Sequence, residues 1–165
     1  MGTDPSQPPV IDSHAAFVAA IAWGFEHAIA RGARRIVCCD ADFLRWPLDD
    51  EATLDRLAAW LRLPQRRLMM VARQYTELPR RWPRFTAWRR DYSYAITTAQ
   101  LPADWEIELP SVLACDSGIS VHLIDVVHWR GRADCDSRSA RLWCERIDVV
   151  LQRSEAAFGV QTLGL

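Results

Sequence analysis

The sequence predicts an α/β fold: a single mixed β-sheet, with a parallel part and a C-terminal antiparallel hairpin, flanked by helices. Between residues 12 and 101, stretches with the apolar spacing of a helix alternate with short continuous apolar runs that are typical of buried strands. Two runs rich in β-branched residues then meet at Asp116-Ser117-Gly118, a hairpin signal. At 165 residues, half of them apolar, the chain fits one domain with a substantial core.

The N-terminal half alternates helix and strand. Asp12 or Ser13 can cap a first helix that runs to about Arg31 and stops at Gly32. The next elements are a strand, a helix, a strand, a helix and a strand, expected at residues 35–40, 50–63, 67–75, 76–93 and 94–101. Strands joined through helices are expected to be parallel, with right-handed crossovers.

The C-terminal half has a different pattern. The segment WEIEL alternates, but Pro102 and Pro110 confine it to a sheet edge or a loop. An antiparallel hairpin follows around Gly118, and Asp136 or Ser137 can cap a final helix to about Ala157. Residues 1–10 are rich in proline and are expected to form a loose tail, which leaves 11–165 as the single domain.

All twenty basic residues are arginine, and the chain contains no lysine. Schiff-base chemistry and a Walker-type phosphate-binding lysine are therefore excluded, whereas bidentate binding of phosphate by arginine is retained. The net charge of −1 indicates no global attraction to nucleic acid or to an anionic membrane.

The five cysteines form an odd set without C-x-x-C spacing, so we expect free thiols in a reducing compartment. The N-terminus has no signal-peptide pattern, and no apolar stretch approaches the ~20 residues that span a bilayer. We expect a cytoplasmic protein with no membrane partner.

Asp40-Ala41-Asp42 follows the first predicted strand and has two interpretations. A strand ending in D-x-D is the nucleophile signature of haloacid-dehalogenase phosphatases, which predicts a Mg²⁺-dependent phosphoryl-transfer enzyme. That chemistry needs a second acidic metal site, distant in the chain, and usually a lysine that holds the phosphoryl group. The next acidic pair, Asp49 and Asp50, lies within ten residues of Asp40 and is too near to be that site, and the chain has no lysine. A strand-end loop with capping acids is favoured.

The segment RRWPRFTAWRRDYSY, residues 80–94, interleaves arginines with aromatic residues. Its arginines could bind a phosphate backbone, and its aromatic rings could stack on bases. However, Phe85, Trp88 and Tyr92 share one helical face, which favours an amphipathic core helix with its arginines in solvent. The candidate phosphate or nucleic-acid contacts are Arg81, Arg84, Arg89 and Arg90.

We expect neither a metal site nor a cofactor. His122 and His128 lie six residues apart on a predicted strand, with Asp125 on its opposite side, and the histidines and cysteines lack the tight ligand pairs of zinc sites. In open α/β sheets, ligands bind beyond the carboxyl ends of the parallel strands. A small-molecule pocket is therefore expected at Asp40, Asp42, Arg45, Arg73 and Tyr75, with an unknown ligand.

Three stretches carry a family resemblance: RRIVCCDADFLRWPLDDEATLDRLAAWL, RRLMMVARQYTELPRRWPRFTAWRRDYS and RLWCERIDVVLQRSEAAFGVQTLGL. Together they resemble a phospholipase D-like half domain of uncharacterised bacterial proteins. Active members of that superfamily carry H-x-K and pair two halves, so the resemblance implies a homodimer. Here His122 is followed two residues later by Ile124, and no lysine exists to hold the phosphate. The resemblance therefore implies a catalytically degenerate, non-enzymatic domain with a binding or assembly role.

Overall fold

The computed structural model describes residues 7–157, and these residues contain one mixed sheet of eight strands in the order β1-β7-β6-β5-β2-β3-β4-β8. The α/β prediction is therefore confirmed. The strands are β1 (Val10–Ile11), β2 (Arg35–Cys39), β3 (Arg67–Ala72), β4 (Ile96–Gln100), β5 (Ser111–Cys115), β6 (Ser120–Asp125), β7 (Arg130–Asp134) and β8 (Glu155–Ala156).

The helices begin and end at recognisable signals. Ser13 caps the first helix by accepting from the Ala16 N–H, Asp50 caps the second through the Thr53 N–H, and Asp136 caps the last through the Arg138 N–H. The helices are α1 (His14–Ala30), α2 (Glu51–Leu61), α3 (Leu78–Arg81), α4 (Pro83–Asp91) and α5 (Ser137–Arg153).

The parallel part consists of β2, β3 and β4 at the centre of the sheet. Arg35 lies opposite Arg67, and Leu68 lies opposite Ile96, so these strands begin at the same edge. We call this edge the amino edge and the opposite one the carboxyl edge. Because each crossover helix returns the chain from one edge to the other, α1, α2 and α4 all end near the amino edge.

The antiparallel part lies on the other side of β2. β5 pairs with β2, β6 with β5 and β7 with β6, all antiparallel. Gly118, at φ +94°, makes the turn between β5 and β6, as the sequence predicted. The turn lies at the amino edge because the Asp116 N–H donates to the Arg35 carbonyl.

The two faces of the sheet bury separate apolar clusters. The larger cluster packs under α1, α2 and the α3–α4 segment and includes the fully buried Phe17, Trp46 and Phe85. The smaller cluster contains Val37, Val71 and Val112, and α5 is the helix packed on it. A single helix covers less of the sheet than α1, α2, α3 and α4 do on the other face, so grooves remain beside α5 among the described residues.

The structure differs from the sequence expectation at several places. The helix expected at 76–93 is divided at Trp82-Pro83, because Pro83 starts a new first turn. β7 follows a turn at Asp125–Trp129 that the alternation did not reveal. The final helix ends at Arg153, and the chain then adds β8 beside β4.

The prediction of a tail at residues 1–10 is only partly within the described range. Residues 1–6 lie outside it, whereas Val10 pairs with Arg132 of β7 in the sheet. Cys38, Cys39, Cys115, Cys135 and Cys144 are free thiols. Within residues 7–157 there is no helix long and apolar enough to cross a membrane.

Gly131 provides a stability test of the β6–β7 pairing. A Cβ at this position would lie 2.4 Å from the His122 carbonyl oxygen, a backbone atom that cannot rotate away. We expect Gly131→Ala to lower the free energy of unfolding in urea by about 2–3 kcal/mol, since the strands must separate to admit the methyl group. Arg132→Ala, at the neighbouring exposed position, should lower the free energy of unfolding by less than about 1 kcal/mol. Equal losses for Gly131→Ala and Arg132→Ala would contradict the pairing of β6 with β7.

Candidate functional site

Asp40 and Asp42 form the loop that follows β2. Asp40 is buried, and its Oδ2 accepts from the backbone N–H groups of Asp42 at 3.2 Å and Phe43 at 2.8 Å. Asp42 Oδ1 accepts from the Leu44 N–H at 3.0 Å. Phe43 has φ +62°, and these bonds hold it in that strained conformation. Both carboxylates thus have structural partners within the loop.

Of the other residues predicted for a carboxyl-end pocket, two adjoin the loop after β2: the Arg73 N–H donates to the Ala41 carbonyl at 3.0 Å, and the Tyr75 ring stacks on Phe43. Arg45 is exposed, with its guanidinium 5.6 Å from the centre of the Trp129 ring. The Arg73 guanidinium donates to the carbonyl oxygens of Trp105 and Ile107 and so braces the 101–110 segment. Tyr75 is buried, and burial raises the pKa of its phenol. These residues brace loops and core, and none of them lines either cavity described below.

The described residues contain no group of three or more histidine, cysteine, aspartate or glutamate side chains able to hold a metal ion. Asp125 and His128 do meet, at 2.8 Å between Oδ2 and Nδ1, because His128 lies in the turn after β6 rather than on the strand. His122 instead packs against Trp143, with 4.5 Å between ring centres and 58° between the ring planes, and its pKa is lowered by burial and by the nearby Arg146.

The arginines of residues 80–94 are divided between the two edges of the sheet. Arg81 and Arg84 are exposed at the carboxyl edge, where Asp49 accepts from the Arg84 and Phe85 N–H groups. Arg90 is exposed at the opposite end of α4. Arg89 is not in solvent as the helical pattern indicated; only 9% of it is exposed, and its pKa is lowered by burial and by Arg90. The four arginines therefore form no single surface.

Charge is polarised between the two edges. Acidic residues dominate the carboxyl edge because α1, α2 and α4 begin there, and carboxylates cap or approach helix N-termini. Asp50 caps α2, and Asp49 accepts from the first turn of α4. The carboxyl-edge acids are Asp12, Asp40, Asp42, Asp49, Asp50, Glu51, Glu77, Asp104, Glu106, Glu108 and Asp125.

Arginines dominate the amino edge. Arg34 and Arg67 precede or begin neighbouring parallel strands, and the Arg67 N–H donates to the Arg34 carbonyl at 2.9 Å. Three more stand at the ends of helices, where cations stabilise the C-terminal dipole. We call the exposed set the amino-edge arginines: Arg31, Arg34, Arg62, Arg67 and Arg90. Among residues 7–157, none of them forms an ion pair; the pairs are Arg35–Asp148, Arg132–Asp134 and His128–Asp125.

Aromatic side chains lie among the amino-edge arginines. The Arg62 guanidinium donates to the Tyr92 hydroxyl at 3.1 Å and lies 6.0 Å from the ring centre. Arg67 donates to the Tyr94 backbone carbonyl at 3.1 Å, and residue Tyr94 is 64% exposed. Guanidinium groups beside an exposed phenol ring combine phosphate contacts with a surface for stacking.

Two cavities flank α5. The larger, of about 560 Å³, opens near the amino edge and is lined by Arg35, Cys115, Asp116, Ser137, Arg138, Arg141 and Cys144. We call it the amino-edge cavity. The smaller, of about 290 Å³, lies on the other side of the helix, between Trp143, Ile147 and the segment 107–110. Its walls are mainly apolar, and Cys39 at the end of β2 forms part of them.

The sequence reasoning missed the amino edge. The available signal was an Arg-Arg doublet directly before or at the start of two strands, at residues 34–35 and 66–67. Two doublets at the same end of parallel neighbours must lie side by side. The near-neutral total charge concealed this local excess.

Comparison with known proteins identifies a fold neighbour and no family. No family model matches the chain, and no curated protein matches it. Among solved structures it is similar to TrmBL2, an archaeal chromatin protein described as showing a novel mode of DNA binding, with a TM-score of 0.62. The two sequences are 13% identical, and the match covers 94% of this chain and 56% of the TrmBL2 chain. This likeness supports the fold alone.

A stability experiment separates the two interpretations of Asp40. Asp40→Ala removes the acceptor of two N–H groups, so we expect the free energy of unfolding to fall by about 2–3 kcal/mol. Asp42→Ala removes one such bond and should cost about 1 kcal/mol. Thermal unfolding should be unchanged by millimolar Mg²⁺ in all three proteins. Stabilisation of the wild type by Mg²⁺, lost in Asp40→Ala, would instead support a metal site.

Proposed function

We propose that this chain is a non-catalytic, phospholipase D-like α/β domain that binds single-stranded nucleic acid along its amino edge. The element order, with a parallel part and an antiparallel part in one sheet, is the order on which the resemblance to phospholipase D-like half domains was based. The absence of lysine and the apolar Ile124 two residues after His122 support a binding role rather than phosphodiester cleavage. Homodimer formation stays a prediction from the same resemblance.

The observation that carries the proposal is the exposed arginine row without carboxylate partners. Arginines that only stabilised the fold would be expected in ion pairs or on helix C-termini. Arg34 and Arg67 are exposed, lie beside strand starts, and have no ion-pair partner among residues 7–157. Arg67 gives one guanidinium donor to the Tyr94 carbonyl; its other donors and those of Arg34 can bond to phosphate.

The aromatic neighbours favour unpaired bases over a duplex. Tyr94 is exposed beside Arg67, and stacking of a base on such a ring contributes about 1–3 kcal/mol while tolerating any base. Bases of a duplex are already stacked on each other and cannot reach it. Interleaved arginines and stacking rings are the combination that single-strand binding proteins use.

A protein with a similar fold, TrmBL2, is described as binding DNA, which supports the proposal only in that this fold occurs in a DNA-binding protein. Its chain includes a part with the present fold. The proposal for this chain rests on its own arginines, because 13% identity does not transfer an interface.

The alternative function, Mg²⁺-dependent phosphoryl transfer at Asp40 and Asp42, has less support. A phosphoryl-transfer site needs carboxylate oxygens free to bind the metal and cations to hold the phosphate. Asp40 Oδ2 is occupied by two backbone N–H groups, and the nearest arginine along the chain, Arg45, is directed to Trp129.

Binding of labelled single-stranded oligonucleotides, measured by fluorescence anisotropy over a series of salt concentrations, tests the proposal. We expect the affinity to fall with salt and to exceed that for a duplex of the same sequence. Arg34→Gln combined with Arg67→Gln should weaken binding about tenfold and reduce the salt slope by about 1–2, because two phosphate contacts are lost.

The matched control is Arg81→Gln combined with Arg84→Gln, which removes the same charge from the carboxyl edge and should leave affinity and slope unchanged. Equal losses in the two double variants would show that binding follows net charge and not the amino edge. No binding at low salt would reject the function.

A further inference from the structure

The loop between α2 and β3, residues 62–66, has an unusual backbone conformation at the amino edge. We call this segment the α2–β3 loop; it leads into the middle strand of the parallel part. Gln65 has φ +58°, in the left-handed region that residues other than glycine rarely adopt. Strain of this kind persists only where the surrounding structure enforces it, and it clusters at functional sites.

The two other non-glycine residues with positive φ in the described part of the chain have compensating contacts. Phe43 is buried, and its N–H donates to Asp40 at 2.8 Å. The Trp129 ring packs against His14, with 4.3 Å between ring centres. Gln65 is exposed and makes no hydrogen bond, ion pair or ring contact with any residue of the range 7–157. Packing within that range therefore gives no reason for its conformation.

Two successive backbone N–H groups of the α2–β3 loop have no acceptor. Pro64 has no N–H, and the N–H of Arg67 is used in the sheet, where it donates to the Arg34 carbonyl at 2.9 Å. Between them, the N–H groups of Gln65 and Arg66 donate to no atom of the described residues. Successive N–H groups in such a turn form a concave anion site, called a nest.

The side chains of the α2–β3 loop add positive charge to these two N–H groups. The Arg66 guanidinium donates to the Pro64 carbonyl at 2.9 Å, which holds it against the loop. Arg62 and Arg67 each give one donor to a tyrosine oxygen and keep their remaining N–H donors for a ligand. Three guanidiniums therefore belong to five or six consecutive residues.

Little negative charge competes with an anion at this loop. The sequence has no acidic residue between Asp55 and Glu77, and no arginine of residues 62–67 is in an ion pair within the described part of the chain. The C-terminal end of α2 contributes roughly half a negative charge. Three guanidiniums exceed that charge, so the loop favours an anion.

We propose that the α2–β3 loop binds a phosphate group through the backbone N–H groups of Gln65 and Arg66, together with the guanidiniums of Arg62 and Arg67. Arginine side chains and backbone N–H groups are the usual donors to nucleic-acid phosphates. The inference rests on the proposed function, which makes the bound group one phosphodiester of the single strand. Free phosphate is a weaker ligand of the same site. The conformation of Gln65 presents the two N–H groups before the strand arrives.

A pair of substitutions that changes no charge tests the site. Gln65→Gly adopts positive φ without strain, whereas the branched Cβ of Gln65→Val disfavours it. For a labelled single-stranded oligonucleotide, we expect Gln65→Gly to bind as tightly as the wild type. Gln65→Val should bind about tenfold more weakly, as expected when hydrogen bonds to a charged group are lost. The matched control is Gln152→Val on the exposed surface of α5, which should bind like the wild type.

Backbone amide NMR of the wild type gives a second measurement that does not depend on how the variants fold. Inorganic phosphate and the oligonucleotide, added separately, should each move the Gln65 and Arg66 amide protons downfield along a common saturation curve. The amide protons of Arg81 and Arg84, at the carboxyl edge, should stay in place.

The outcomes distinguish this site from the proposed function. Equal affinities of Gln65→Gly and Gln65→Val, without shifts of the two amides, would overturn the phosphate site. The proposed function would still stand if Arg34→Gln with Arg67→Gln weakens binding. If inorganic phosphate moves the two amides but no oligonucleotide binds, the site stands and the proposed function is wrong. If neither ligand has any effect, both are wrong.

Discussion

The parallel register of β2 and β3 is the constraint on which the rest of the molecule depends. Because Arg35 lies opposite Arg67, both strands begin at one edge and end at the other. Each crossover helix must then start at the carboxyl edge and finish at the amino edge. The residues before the three parallel strands and at the ends of α1, α2 and α4 are consequently gathered along a single edge, although they are far apart in the chain.

Charge follows from this directional order. Helix N-termini favour carboxylates and helix C-termini favour guanidiniums, so α1, α2 and α4, which share one direction, place acids at the carboxyl edge and arginines at the amino edge. Only α5 runs the other way, with its cap Asp136 at the amino edge. The chain carries a net charge of −1, yet its arginines dominate one edge and its acids the other. A molecule of this kind can attract a polyanion at one edge while its total charge stays near zero. Arg31, Arg62 and Arg90 lie at helix C-termini, where they stabilise the helix dipole. Arg34 and Arg67 lie beside strand starts, so this effect does not explain their presence.

Local sequence signals predicted most of the fold and little of the site. Ser13, Asp50 and Asp136 cap the helices, each being one of the two adjacent residues that the sequence offered, and Gly118 makes the expected turn, because these signals act over three or four residues. The sequence did not predict β7 because the turn at 125–129 lies within an apolar run. This turn is stabilised by Asp125, whose side chain accepts hydrogen bonds from the Val127 and His128 N–H groups.

Site residues depend on which segments the fold brings together. Helical periodicity placed Arg89 in solvent, but the break at Trp82-Pro83 reorients α4 and buries this side chain. The doublets at 34–35 and 66–67 were visible in the sequence, but their meaning depended on the register between two strands more than thirty residues apart. The amino-edge cavity depends on where α5 crosses the sheet, which no local pattern specifies.

Arginine side-chain NMR during titration with a single-stranded oligonucleotide tests the central claim most directly, since each guanidinium reports its own contacts. The account predicts that the resonances of Arg34, Arg67 and Arg90 shift with a common saturation curve while those of Arg80, Arg81 and Arg84 stay in place. Shifts confined to the carboxyl-edge arginines, or uniform small shifts of all of them, would contradict it.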